Sequence, residues 1–106
     1  MHVDVSSKRE ALADLCRRFH VRRLEVFGSA ARGTDFDIQW SDADFLVQFE
    51  AGFDPGFAGF LDLKQALEQA LGRPVDLVER DAVEQSRNYI RRRRILQEAE
   101  PLFVAG

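Results

Sequence analysis

Two stretches of this chain fit together as strand, tight turn and strand, and the second strand carries an arrangement that few folds tolerate. Val21 to Phe27 reads as a strand that ends at Gly28-Ser29. After a polar loop, Ser41-Asp42-Ala43-Asp44-Phe45-Leu46-Val47 opens a second strand, Ala43 to Glu50, with two aspartates one residue apart. Strand side chains alternate between faces, so Asp42 and Asp44 project from the same side. Aspartate is a poor strand former and like charges repel, so the pair needs compensation. A divalent cation held between the carboxylates supplies it.

The turn adds a second chemistry. Ser29 to Arg32 is expected to open a short helix, whose unpaired amides and positive dipole end attract anions. Gly28 lets the backbone approach a phosphate closely, and Ser29 offers a hydroxyl or, alternatively, a plain helix cap. Arg32, one turn on, either clamps a phosphate or lies in solvent paired with Asp35 or Asp37. The loop from Gly33 to Ser41 alternates Phe36, Ile38 and Trp40 with polar residues. That pattern suits an extended edge packed on the domain, or an apolar lip beside the site. A third acid, Asp76, stands among apolar residues in Pro74-Val75-Asp76-Leu77-Val78-Glu79. A carboxylate there is either an edge-strand charge turned to water or a functional group.

Around these strands the helices are marked by spacing. Ser7-Lys8-Arg9-Glu10 has the form of a capping box, with Leu12, Leu15, Cys16 and Phe19 on one face behind it, predicting a helix from Ser7 to Phe19. Asp54 as cap and Pro55 at the first helical position predict a second helix, burying Phe60, Leu63, Leu67 and Leu71 and stopped by Gly72 and Pro74. A last helix is expected from Asn88 to Glu98 with Tyr89, Ile95, Leu96 and Ala99 as its apolar side, and Leu102-Phe103-Val104 closes the core. Phe53 and Phe57, beside Gly52, Gly56 and Gly59, read as a mobile apolar segment or, the favoured use, as core packing. The expected architecture is α/β (α+β): a small mixed sheet of three to four strands packed by about four helices.

Size and charge bound the function. The 106 residues suit one domain, 1–106, without room for a second helical domain. The net charge of -3 gives no global pull towards nucleic acid. Arg91-Arg92-Arg93-Arg94 is the only dense basic run, and it reads as a solvated face or a partner-docking patch rather than a nucleic-acid reader. Its duller use is pairing with Glu84, Glu98 and Glu100. The single Cys16 excludes an internal disulfide and fits a reducing cytoplasm. On its apolar stripe it reads as a buried small hydrophobe. No run approaches membrane-spanning length, and His2 and His20 lack the spacing of a zinc site.

Gly28-Ser29, then Asp42-x-Asp44, then Asp76 in Val75-Asp76-Leu77-Val78, resembles the nucleotidyltransferase superfamily that includes polymerase beta. The strings Gly-Ser-Ala-Ala-Arg-Gly and Ser-Asp-x-Asp in so short a chain resemble its minimal members, which commonly act as antitoxins to HEPN-domain toxins. The loop before Asp42 departs from that pattern, being longer and less polar. The resemblance implies that Asp42, Asp44 and Asp76 carry catalysis and bind Mg²⁺, two ions in all, and that Gly28, Ser29 and Arg32 hold the phosphates of ATP. It also implies transfer of AMP to a partner hydroxyl, a tyrosine of a HEPN toxin, in a cytoplasmic hetero-oligomer. Two alternatives remain open on the sequence: an antitoxin that masks its partner by binding alone, and transfer to a small molecule such as an aminoglycoside.

Overall fold

The computed structural model describes residues 3–28 and 43–105. Ser29, Arg32, Asp42 and the loop with Phe36, Ile38 and Trp40 lie outside them. Four strands form one mixed sheet: β1 (Val21–Phe27), β2 (Ala43–Phe49), β3 (Val75–Glu79) and β4 (Glu100–Val104), in the order β3-β2-β1-β4. β1 pairs antiparallel with β2 and with β4, whereas β2 and β3 run parallel. Parallel neighbours need a crossover, supplied here by the helix α3 (Gly56–Leu71). The other helices are α1 (Val3–Ser6), α2 (Arg9–Arg18), α4 (Arg80–Glu84) and α5 (Tyr89–Glu98).

The period-2 alternation of the strands divides the interior into two layers. Leu24, Val26, Phe45, Val47, Val75 and Leu77 face α2 and α3, meeting Leu12, Cys16, Leu63 and Leu67 in the main core. Phe27 and Leu46 face the opposite way and pack with Val83 of α4 and Ile95 of α5. Phe49, at the end of β2, is partly buried and packs against the main core. Both faces of the sheet are therefore covered, as a parallel pair requires.

Several local expectations change. The cap position of α2 is Lys8 rather than Ser7, and the Lys8 side chain makes no cap bond. The chain forms the extra short helix α1 just ahead of it, which changes the approach to the cap. Lys8 Nζ instead donates to the Leu71 carbonyl, 3.2 Å away, at the end of α3, where a cation complements the helix dipole. Asp54 does serve the start of α3, accepting from the Gly56 amide at 2.9 Å, and Gly72 ends that helix at φ 71°. Asn88 caps α5 by accepting from the Arg91 amide.

Tyr89 is not on the buried side of α5. It is 64% exposed, as is the neighbouring Ile90 at 68%, and Ile95 carries the packing of the helix. Phe53 and Phe57 are not core residues either. Phe57 is 81% exposed, and Phe53 stacks on His20 with ring centroids 4.5 Å apart. The residues Leu102 to Val104 belong to β4, an edge strand, with Leu102 buried and Val104 exposed.

Candidate active site

The C-terminal end of β1 and the N-terminal ends of β2 and β3 meet at one end of the sheet. Phe27 pairs with Asp44 across the antiparallel ladder, and Asp44 pairs with Asp76 across the parallel one. Direct partners on adjacent strands stand side by side on one face, about 4.8 Å apart. Asp44 and Asp76 thus share the face of Leu46 and Val78, opposite the main core. Asp44 is half-buried and Asp76 exposed.

Gly28 completes this corner. Its φ of 68° is a left-handed conformation that side-chain-bearing residues adopt at a cost. A Cβ built on it would lie 2.6 Å from Asp44 Oδ2. The glycine is required twice over, once for the turn and once to let the Asp44 carboxylate lie against the backbone. A cleft of about 370 Å³ opens here, lined by Phe27, Gly28, Asp44, Asp76, Arg91, Arg94, Ile95 and Glu98.

Of the six residues singled out from the sequence, Gly28, Asp44 and Asp76 are brought together, while Ser29, Arg32 and Asp42 lie outside the described residues. Arg91 and Arg94, exposed as the sequence suggested, also line this cleft, and Arg94 pairs with Glu98, one of the acidic neighbours expected for the run. The signal was present in their spacing. Positions 91, 94, 95 and 98 recur at helical intervals, so two of the four arginines share a stripe with Ile95, which is buried.

Behind the cleft, on the same sheet face, Glu25 is buried and accepts hydrogen bonds from Arg80, with Arg23 Nε 3.3 Å from it. Burial opposes the charge on Arg80, but hydrogen bonds to Glu84 and Glu25 and their negative charges outweigh it and hold its pKa above the usual value. This ion pair ties α4 to the middle of β1. Among the described residues no group of three or more His, Cys, Asp or Glu is arranged to hold a metal. The carboxylate pair offers only hard oxygen donors with access to solvent, and Mg²⁺, which keeps several waters, suits such a partial set.

Residues 8–99 match the family model described as Nucleotidyltransferase domain. The chain belongs to the nucleotidyltransferase family. Among curated nucleotidyltransferase relatives, one from Methanocaldococcus jannaschii, provisionally named a protein adenylyltransferase, is 35% identical over 66 residues, 62% of this chain and 64% of the relative. The protein adenylyltransferase MntA of Thermococcus cleftensis is 41% identical over 70 residues, 66% of this chain and 67% of that one. The match thus spans a little under two thirds of the first of these relatives. A solved structure provisionally described as a minimal nucleotidyltransferase superposes with a TM-score of 0.71 at 37% identity, covering 95% of this chain and 96% of the other. The same fold recurs at lower identity in toxin–antitoxin structures. One with AMP-PNP has a TM-score of 0.66 at 22% identity, covering 92% of this chain and 73% of that one. Another, from Shewanella oneidensis, has a tri-AMPylated HEPN toxin with its MNT antitoxin (TM-score 0.62, 18% identity, 95% and 73% covered).

Proposed function

We propose that this chain is one Mg²⁺-dependent nucleotidyltransferase domain that moves AMP from ATP to a hydroxyl of a protein partner. The partner we infer is a HEPN-domain toxin, modified on a tyrosine and so silenced, with the pair residing in the cytoplasm. The observation that carries the reading is the register pairing of Asp44 with Asp76 beside a glycine turn that the Asp44 carboxylate touches. The names of the adenylyltransferase relatives and the AMPylated toxin complex support the choice of AMP and of partner.

In this reading Asp42, Asp44 and Asp76 hold Mg²⁺, and Gly28, Ser29 and Arg32 cradle the phosphates. The ions supply charge neutralisation for the attacking and leaving oxygens. Asp76, the more exposed acid, accepts the proton of the acceptor hydroxyl as that oxygen attacks the α phosphorus. The bond from the α phosphorus to its bridging oxygen breaks, and pyrophosphate leaves with the electron pair. Gly28 keeps the backbone back from the space that the Asp44 carboxylate fills. No covalent enzyme intermediate is needed, so neither histidine nor Cys16 has a part.

Incubation with Mg·ATP and a candidate HEPN-domain partner tests the reading by intact mass. The partner should gain one or more AMP masses, and Asp44→Ala should abolish both the gain and the protection. Protection by Asp44→Ala with no mass gain would instead establish neutralisation by binding alone.

A further inference from the structure

We propose that Arg91 and Arg94 of α5 grip the phosphate tail of the nucleoside triphosphate, so that the four-arginine run is divided among separate tasks. This assignment rests on the nucleotidyl-transfer reading above and adds two binding residues to it. Both side chains line the cleft that holds Asp44 and Asp76. They lie one helical turn apart on α5, on the stripe that continues through the buried Ile95 to Glu98. Arg94 Nε is 3.5 Å from Glu98 Oε1, one turn further along. Arg91 makes no ion pair among the described residues.

The neighbouring arginines are used differently. Arg92 Nη1 donates to the Ser86 carbonyl at 3.1 Å and to the Glu84 carbonyl at 3.5 Å. It ties α5 to the end of α4 and is a structural tether. Arg93 is exposed and lies off the cleft. The run therefore has one tether, one solvated member and two that face the acids.

A cleft lined by Asp44 and Asp76 from the sheet and by Arg91 and Arg94, with Glu98, from α5 is suited to a ligand that carries both a cation and excess negative charge. A nucleoside triphosphate with its magnesium is such a ligand. Carboxylates hold the metal, but the phosphate tail carries more negative charge than the metal neutralises. Guanidinium forks match phosphate oxygens bidentately and stay charged at any working pH. The charge that builds on the departing pyrophosphate falls in the same place, so the grip also stabilises the leaving group. An acceptor hydroxyl, being neutral, offers a guanidinium only a single-atom hydrogen bond and no bidentate match.

The test is calorimetric titration of Mg·AMP-PNP, and separately of AMP, into the full chain. Both arginines are solvent-exposed, so R91Q/R94Q should fold, which a thermal melt verifies. With charged hydrogen bonds lost, the double variant should bind Mg·AMP-PNP at least about tenfold more weakly and AMP less than about threefold more weakly. R93Q should alter neither, and R91K/R94K should recover part of the loss. Unchanged Mg·AMP-PNP affinity in R91Q/R94Q would overturn the assignment while leaving nucleotidyl transfer standing. Equal weakening for AMP and AMP-PNP would overturn it too, by moving the contact away from the tail. A wild-type chain that takes up no Mg·AMP-PNP removes the nucleotidyl-transfer reading, and this assignment with it.

Discussion

Replacing Gly28 by alanine separates the two demands made on that residue. The first is conformational: at φ 68° an alanine incurs about 1–2 kcal/mol relative to glycine. For a domain of this size that lowers the melting temperature by about 4–8 °C per kcal/mol. The second is steric. The added methyl would sit 2.6 Å from Asp44 Oδ2, and ordinary contact begins at 3.4 Å, so the carboxylate must retreat by most of an ångström. The atom in the way is the far end of a side chain, so this retreat adds little to the loss of stability. Its effect falls on the chemistry, because a displacement of about 1 Å at a positioning group costs on the order of 10²-fold in rate. G28A should therefore remain folded with a modestly lowered melting temperature, while AMP transfer, read by intact mass of the acceptor over time, falls about a hundredfold. A folded G28A within about threefold of wild type would refute the claim that this contact sets the position of the carboxylate.

Three further outcomes follow from the same geometry. D76N removes one of two neighbouring negative charges, so AMP transfer should be lost while the melting temperature holds or rises slightly, measured by mass spectrometry and circular dichroism on the same sample. E25A leaves Arg80 without its buried partner on β1 and should cost about 3 kcal/mol in urea unfolding, whereas E84A, at the exposed side of the same arginine, should cost under about 1 kcal/mol. Burial lifts the Cys16 thiol from an ordinary 9.0 to about 12, the Arg17 charge opposing only in part. The folded chain should resist thiol reagents at pH 8, and because the folded pKa is the higher one, this group's contribution is complete below pH 9 and is lost as pH rises towards 12. C16A should show a shallower alkaline loss of stability than the wild type.

The strands were legible because their signals are local. Val21–Phe27 is bounded by Gly28, and Ala43, Phe45 and Val47 recur at every second position, the period of a strand. Leu63, Leu67 and Leu71 marked α3 in the same way. The failures arose where the deciding partner is distant in sequence. Ser7 has the form of a cap, yet the helix begins at Arg9, and Lys8 turns to the end of α3, 63 residues away. Tyr89 fits the apolar stripe of α5 by count, but the packing is made by Ile95, Leu96 and Ala99 in the later turns. α4 is too short to generate a period. The role of Arg91 and Arg94 needed the crossing of α5 over the sheet, since helical spacing groups them with Ile95 but does not say which acids their stripe meets.

The identity of the face that carries Asp76 is the step on which the site depends, and the fold fixes it from both sides. In a strand a slip of one residue exchanges the faces, so a shifted β3 would drive Asp76 into the leucines of α3 and turn Val75 and Leu77 outward. Val75 and Leu77 are both buried in the main core, which opposes that slip by the burial of two large side chains. The start of the strand is fixed as well. The Val75 amide donates to Glu68 Oε2 at 3.0 Å, and the Ala43 amide to the Pro74 carbonyl at 3.1 Å. Glu68 belongs to the last turns of α3 and sits 3.6 Å from Lys64 one turn earlier. The crossover helix therefore does more than connect parallel strands. Its end carries the acceptor that sets where β3 begins, and that beginning sets which face receives Asp76. The acid that seemed out of place among apolar neighbours in the sequence is held opposite Asp44 by the neighbours themselves.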